Sequence, residues 1–206
     1  MSRYRGPSCK LCRRAREKLF LKGDRCQTAK CAIEKRNYPP GYRALKPKKI
    51  SEYGKRLREK QKLRFYYGVT EKQMRIYFAK ASKKKGITGH NLLSLFEQRL
   101  DNIVFRANMG KSRKDARQLV KHSHFLVNGK KADIPSMLIK KEDVISIKEK
   151  SITVFKDLFD ILKDKPKSSW VVFNDSEKSI TVDHGPTREE IDVPVDEQLI
   201  VEFYSK

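Results

Sequence analysis

Acidic side chains are scarce beside basic ones in this chain: 25 Asp+Glu against 48 Lys+Arg over 206 residues. The formal net charge is +23, which excludes an acidic solvating chain and makes a polyanion the first partner to consider. Apolar residues are also few, at 38 %, while charged residues reach 35 %. The core is therefore lean, and a partner or a metal is expected to add to its stability. Long apolar runs are missing. Runs such as Trp170-Val171-Val172-Phe173 fall far short of the ~20 residues a membrane-spanning helix needs. Arg3 and Arg5 have no apolar stretch behind them, so no secretory signal is read. The basic segments do not form one long amphipathic helix with a bulky apolar face, so an anionic membrane surface is a poor partner too. No internal repeat is found. These absences predict a cytosolic protein, whose thiols stay reduced.

The charge that is present is unevenly placed. It amounts to +28 over residues 1–150 and −5 over residues 151–206. The polyanion should lie against the first three quarters. The acidic last quarter suits a protein neighbour, with Glu189 and Glu190 as contact candidates, or a solvated face.

All four cysteines lie within the first 31 residues: Cys9, Cys12, Cys26 and Cys31. Two close pairs joined by a short loop supply the four ligands of a tetrahedral site. Thiolates suit one structural zinc, closed to substrate; an iron–sulfur cluster would use the same four sulfurs. Two disulfides or four unrelated buried thiols are the plainer alternatives. Lys10, Arg13, Arg14, Arg25 and Lys30 are placed to offset the negative charge of a four-thiolate site.

Periodicity predicts several helices. Ser8 caps a short one carrying Cys9 and Cys12. Ser51 and Glu52 open another that runs to about Tyr67, where Gly68 closes it. Its cations are Lys55, Arg56, Arg58, Lys60, Lys62 and Arg64, which wrap most of its circumference. A helix so cationic repels itself and is expected to sit among phosphates. Thr70 caps a helix with the core stripe Met74, Tyr77, Phe78 and Ala81. From Gly89 one helical stretch carries Leu92, Leu93, Phe96, Leu100, Ile103 and Val104. Ser112 to Asp115 is a capping-box variant, and the helix after it has Arg113, Arg117 and Lys121 on one arc and Ala116, Leu119 and Val120 on the other. Asn128-Gly129 between Phe125-Leu126-Val127 and Lys130-Lys131 signals a hairpin. A strand at Val144–Ile147, a helix over 152–163 and a hairpin over 168–182 follow. Thr187 and Glu190 form a further capping-box pattern, and residues 197–204 allow either a strand or a helix. Tyr4, Tyr53, Tyr66 and Tyr67 lie among cations, positioned to stack on bases or to pack in a core.

An ordered set of short motifs carries a resemblance over the whole chain. They are Arg3-Tyr4-Arg5-Gly6-Pro7, the four cysteines, Tyr38-Pro39-Pro40-Gly41, Arg58-Glu59-Lys60-Gln61-Lys62 and Arg99-Leu100-Asp101-Asn102, then Ala116-Arg117-Gln118-Leu119-Val120, Val127-Asn128-Gly129 and Glu202-Phe203-Tyr204-Ser205-Lys206. Together they resemble the bacterial small-subunit ribosomal protein number four (S-four) family. One departure stands out: many members read Pro-Gly-Gln-His-Gly where this chain reads Pro40-Gly41-Tyr42-Arg43-Ala44.

The resemblance implies an α+β protein in three parts. Residues 1–44 form a metal-pinned basic arm. Residues 45–96 form a helical domain completed by 185–206. Residues 97–184 form an inserted RNA-binding domain with the family's module at about 97–150. It implies no enzyme and no small-molecule substrate. It implies a primary binder of the 5′ domain of 16S-type ribosomal RNA that nucleates small-subunit assembly, bears on translational accuracy, contacts ribosomal protein number five and lines the path by which messenger RNA enters. The same likeness implies a second role, repression of its own operon. The RNA candidates in the arm are Arg3, Tyr4, Arg5, Arg13 and Arg14. On the cationic helix they are Lys55, Arg58, Lys60, Lys62 and Arg64, and in the module Arg99, Lys111, Ser112, Arg113, Lys114, Arg117, Gln118, Lys121, His122, Asn128 and Gly129. The messenger-path candidates are Arg43, Lys46, Lys48 and Lys49. A cytoplasmic ribosome of bacterial rather than organellar origin is expected.

Two other classes fit the sequence less well. An RNA-modifying enzyme that carries the same module needs a catalytic domain for which no room remains, and His122 and His124 lack carboxylate or cysteine partners. A zinc-dependent DNA regulator fits the cysteine spacing, but no dimeric recognition helix stands out among charge spread over 150 residues.

Overall fold

The computed structural model describes residues 4–41, 49–153, 155 and 168–205. The chain divides into two units: Met1–Leu92 with Val193–Lys206, and Leu93–Asp192.

The first unit begins with α1, Ser8–Ala15. Pro7, not Ser8, is its N-cap, and no side chain caps it. Proline lacks the N–H that would be orphaned there, and its ring presets φ, here −67°. A 3-10 turn at Gly23–Cys26 and the short α2, Ala32–Lys35, follow. Helix α3, Glu52–Tyr66, starts where the Ser51 side chain accepts the Gly54 N–H, and it stops before Gly68, whose φ of 61° is left-handed. Helix α4, Glu71–Ser82, is capped by Thr70 and buries Met74, Tyr77 and Ala81.

The undecided segment near the C-terminus is a helix. It is named α8 here, Glu197–Tyr204, and the Asp196 carboxylate accepts the Gln198 and Leu199 N–H groups. It packs along α3. The cap and this partner decide against a strand, despite the β-branched residues.

In the second unit the long helical stretch read from Gly89 breaks in two: α5, Thr88–Glu97, and α6, Leu100–Arg106. The boundary between the units falls inside α5. Arg99 is extended and bridges to Leu138. The Leu100 N–H donates to the Met137 carbonyl at 2.9 Å and the Asp101 N–H to Pro135 at 3.2 Å. Those long-range bonds satisfy donors that a continuous helix would have turned inward, and hydrophobic period alone cannot foresee them. Helix α7, Arg113–Lys121, is capped by Ser112, which accepts the Asp115 N–H; Asp115 in turn accepts the Lys111 N–H at 2.9 Å. Gly110 lies so close to α7 that a Cβ there would stand 2.7 Å from the Ala116 nitrogen.

Five antiparallel strands form one sheet in the order β2-β1-β3-β5-β4. They are β1 Phe125–Val127, β2 Lys130–Ala132, β3 Val144–Ile147, β4 Val171–Asn174 and β5 Ser179–Val182. The Asn128-Gly129 turn has φ of 49° and 76°, the two positive values a two-residue hairpin requires. Phe125, Ile145, Ile180 and Trp170 meet Ile103, Val104, Ala116 and Val120 in one core. The helix expected over 152–163 lies mostly outside the described residues, though Phe155 is buried in that core. The Thr187–Glu190 pattern forms its hydrogen bonds but closes only a turn, with no helix after it.

Candidate RNA-binding surfaces and the cysteine cluster

Helix α1 carries Cys9 and Cys12 one turn apart, the 3-10 turn ends on Cys26, and Cys31 caps α2. All four are free thiols, and Cys12, Cys26 and Cys31 are buried. Together with Lys22 and Arg25 they line one small pocket of about 20 Å³. Of the cations expected to offset the cluster, Arg25 lines it; Lys22 was not foreseen. Burial pushes the Cys12 thiol up, and the nearby Cys26, Cys9 and Cys31 add to the effect against a backbone hydrogen bond from Leu19. Burial raises Cys26 too, with Cys31 and Cys9 adding to it. Mutual repulsion among sulfurs around a pocket of ionic size is what a divalent cation relieves, so the donor set fits a structural zinc. Among the described residues, however, no three His, Cys, Asp or Glu side chains stand close enough to hold a metal as they are placed. A metal held by Cys9, Cys12, Cys26 and Cys31 would tie α1 to the loop and α2, a purely structural contribution.

The cations of α3 do not all face outward. Lys60 is only 4 % exposed. Its Nζ bonds Glu71 at 2.8 Å and sits 4.7 Å from the Phe203 ring centroid. Arg56 bonds Glu202 at 2.6 Å, and Arg64 lies 3.8 Å from Glu71 and over the Phe65 ring. Lys62 bonds Glu17 and Glu59, each at 2.8 Å. Burial opposes its charge, but the two carboxylates outweigh that and raise its pKa. Glu71 shows the converse: burial opposes its ionisation, while hydrogen bonds from Lys60 and Tyr204 hold its pKa down. Lys60, Lys62 and Arg64, expected among phosphates, therefore tie α3 to α4, α8 and the arm. Lys55 pairs with Glu52 at the surface, and Arg58 is exposed.

In the arm, Arg5 and Arg14 are exposed, and Tyr4 is 41 % exposed. Arg13 donates to the Tyr38 carbonyl at 2.9 Å and lies over its ring. Tyr66 and Tyr67 are 5 % exposed and pack edge to face, so they are core residues. Tyr53 is 63 % exposed, its ring 5.7 Å from Phe203. Arg3, Arg43, Lys46 and Lys48 lie outside the described residues; Lys49 is exposed.

The second unit also turns candidates inward. Arg99 is 1 % exposed and forks onto Asp101 at 3.0 and 2.7 Å, so it is closed to RNA. Arg117 bonds the same carboxylate at 2.8 Å. Arg113 bonds the Asn102 side-chain oxygen at 3.0 Å and stacks over Phe105. Below them Glu97 is fully buried and holds Arg106 by two bonds of 2.8 Å and Asn102 by one of 2.5 Å. Burial works against the charge on Arg106, yet Glu97 and Asp192 raise its pKa strongly. Asn128 spends both ends of its amide on the neighbouring strand, donating to Asp143 and accepting from the Val144 N–H. Lys111, Gln118, Lys121 and His122 are exposed, Gly129 is exposed at the hairpin tip, and Ser112 and Lys114 are half-buried.

Glu190 is likewise occupied. It accepts from Ser169, from His184 at 2.8 Å, and from the Thr187 N–H and hydroxyl at 2.8 and 3.0 Å. The Ser169 and Thr187 bonds lead in lowering its pKa to about 2. Glu189 is exposed beside it.

One unit holds a five-stranded antiparallel sheet with the capped helix α7, the other a set of basic helices, and the comparisons assign both to the S4-type RNA-binding class. A model of the "Ribosomal protein S4/S9 N-terminal domain" matches residues 3–97, and one of the "S4 domain" matches residues 98–145. The small ribosomal subunit protein uS4 of Acetivibrio thermocellus is 54 % identical over 208 residues, covering 100 % of both chains. The uS4 proteins of Halothermothrix orenii and Geobacter sulfurreducens are each 51 % identical, again with 100 % coverage of both chains. The chain belongs to the uS4 family of small-subunit ribosomal proteins, which are structural and not enzymes.

Proposed function

We propose that this chain is a primary binder of small-subunit ribosomal RNA, acting on the 5′ domain of a 16S-type RNA early in assembly in the bacterial cytoplasm. The observation that carries the reading is a set of exposed cations: Lys10, Arg14 and Arg58 in the first unit, Lys111 and Lys121 in the second. Phosphate neutralisation supplies the affinity, and the shape of the folded RNA supplies the selection. Binding to a 5′-domain transcript should fall steeply with salt, by roughly a thousandfold or more between ~50 and ~200 mM if six or more phosphates are engaged. An affinity flat with ionic strength overturns the proposal, as does equal binding to duplex DNA.

Three finer roles are part of the same reading. Lys49, together with Arg43, Lys46 and Lys48, lies along the path by which messenger RNA enters. Glu189 contacts ribosomal protein number five and so bears on translational accuracy; Glu190 drops out because its carboxylate is already occupied within the unit. Repression of the protein's own operon follows if its messenger imitates the ribosomal RNA site. Charge reversal at Glu189 that leaves neighbour assembly and accuracy unchanged removes the second role. The four cysteines hold one structural zinc, supported by their convergence on a single pocket. Elemental analysis should find about one zinc per chain; iron in its place, or no metal, overturns that assignment.

A further inference from the structure

Between α1 and α3, within the first unit, lies a pocket of about 600 Å³. That is inside the ~300–1,000 Å³ span of ligand sites and far above the ~30 Å³ of one water. Its walls are mainly apolar, with Leu11 and Ala15 from α1 facing Leu57 and Phe65 from α3. Lys10, Arg14, Lys49 and Arg58 stand at the same pocket, all four exposed, and no acidic residue lines it. Gln61 from α3 also lines the wall, with its Oε1 buried away from the open space. Phe65 already has a guanidinium on its ring, that of Arg64 at 4.7 Å, and Tyr4 at 6.0 Å.

We infer that this pocket takes a single unstacked nucleobase of the bound RNA. The inference rests on the RNA-binding reading above and specifies one subsite of it. An apolar slot accepts the faces of a base, which lose little on leaving water. The surrounding cations take the phosphates on either side of the extruded nucleotide. An apolar peptide would fill the slot but leave the cations unanswered, so charge complementarity selects the nucleotide.

The test uses the full chain and a 5′-domain transcript. Ala15→Phe fills the slot while leaving every cation in place. Circular dichroism with thermal melting checks that the variant folds. Nucleotide-resolution footprinting of the wild type should show one base, not merely its backbone, protected on binding. Ala15→Phe should lose that protection and weaken binding roughly 5- to 100-fold, the range of one stacked base, with an unchanged salt slope. Should the wild type bind with steep salt dependence but protect no base, or the folded variant keep its full footprint and affinity, the pocket is not a base site, whatever else fills it. Should the wild type itself not bind in a salt-dependent way, the RNA-binding reading fails first.

Discussion

Helices α3 and α7 are both rich in cations, and they use them differently. On α3, Arg56, Lys60, Lys62 and Arg64 reach carboxylates from other segments of the same unit, leaving Arg58 exposed and Lys55 on a surface pair. On α7, Arg113 and Arg117 bind Asn102 and Asp101 beneath the helix, while Lys121 points out near its end. Much of the charge that looks ready for phosphate in a helical-wheel count therefore holds each unit together. The inward cations are mostly those with long-range acidic partners, and the outward ones are left for a polyanion. A carboxylate far away in sequence thus decides which lysine or arginine can meet RNA.

The sharpest way to break this contrast is at the buried acids. Glu97→Ala removes two bonds of Arg106 and one of Asn102 inside the second unit, leaving the Arg106 charge only the exposed Asp192 as partner. It should cost about 3 kcal/mol in urea unfolding, since one side of a buried ion pair is lost. Next comes a pair of substitutions on one helix. Arg58→Ala should lower RNA affinity and reduce the salt slope by about 1, whereas Lys60→Met should leave the slope unchanged and alter stability instead. Equal effects on the slope would mean that burial does not separate the two kinds of cation. Ser112→Ala removes the α7 cap and should cost about 1 kcal/mol, read by denaturant melts of the full chain.

The smallest effect concerns pH. Glu190 falls from an ordinary 4.5 to about 2, so the stability it lends is present above about 4.5 and is lost as pH drops through 2. His184 is raised above 6.5 by Glu190 and Asp183, so its contribution is full below 6.5 and disappears as pH rises through the elevated value. The two together should be strongest between about 4.5 and 6.5. Glu190→Gln should flatten that window in denaturant midpoints taken across pH; a window that survives the substitution has another source.

Local signals were the legible ones. Ser51, Thr70 and Ser112 cap the helices they were expected to cap, because a cap bond spans three residues and its partners are adjacent in sequence. The Asn128-Gly129 hairpin follows from the backbone freedom of two residues. The break at Arg99 was not legible, because the groups that draw it out of the helix, Met137, Pro135 and Leu138, come nearly forty positions later. Tyr66 and Tyr67 could not be assigned either, since aromatic residues serve a core and a base equally well until a neighbour is known. The pocket lined by Leu57, Phe65 and Gln61 is illegible in the sequence for the same reason: one wall of it is on α1, some forty positions earlier.

By itself the sequence determined the sign and gradient of charge, the clustering of four thiols and the positions of most caps and turns. These depend on composition and on neighbours within a few residues. Only the tertiary structure decided which cations are neutralised, that residues 197–204 form a helix against α3, and that α1 and α3 leave an apolar slot between them. Each of those depends on desolvation and on partners distant along the chain, and the energy of a charge is set by what surrounds it after folding.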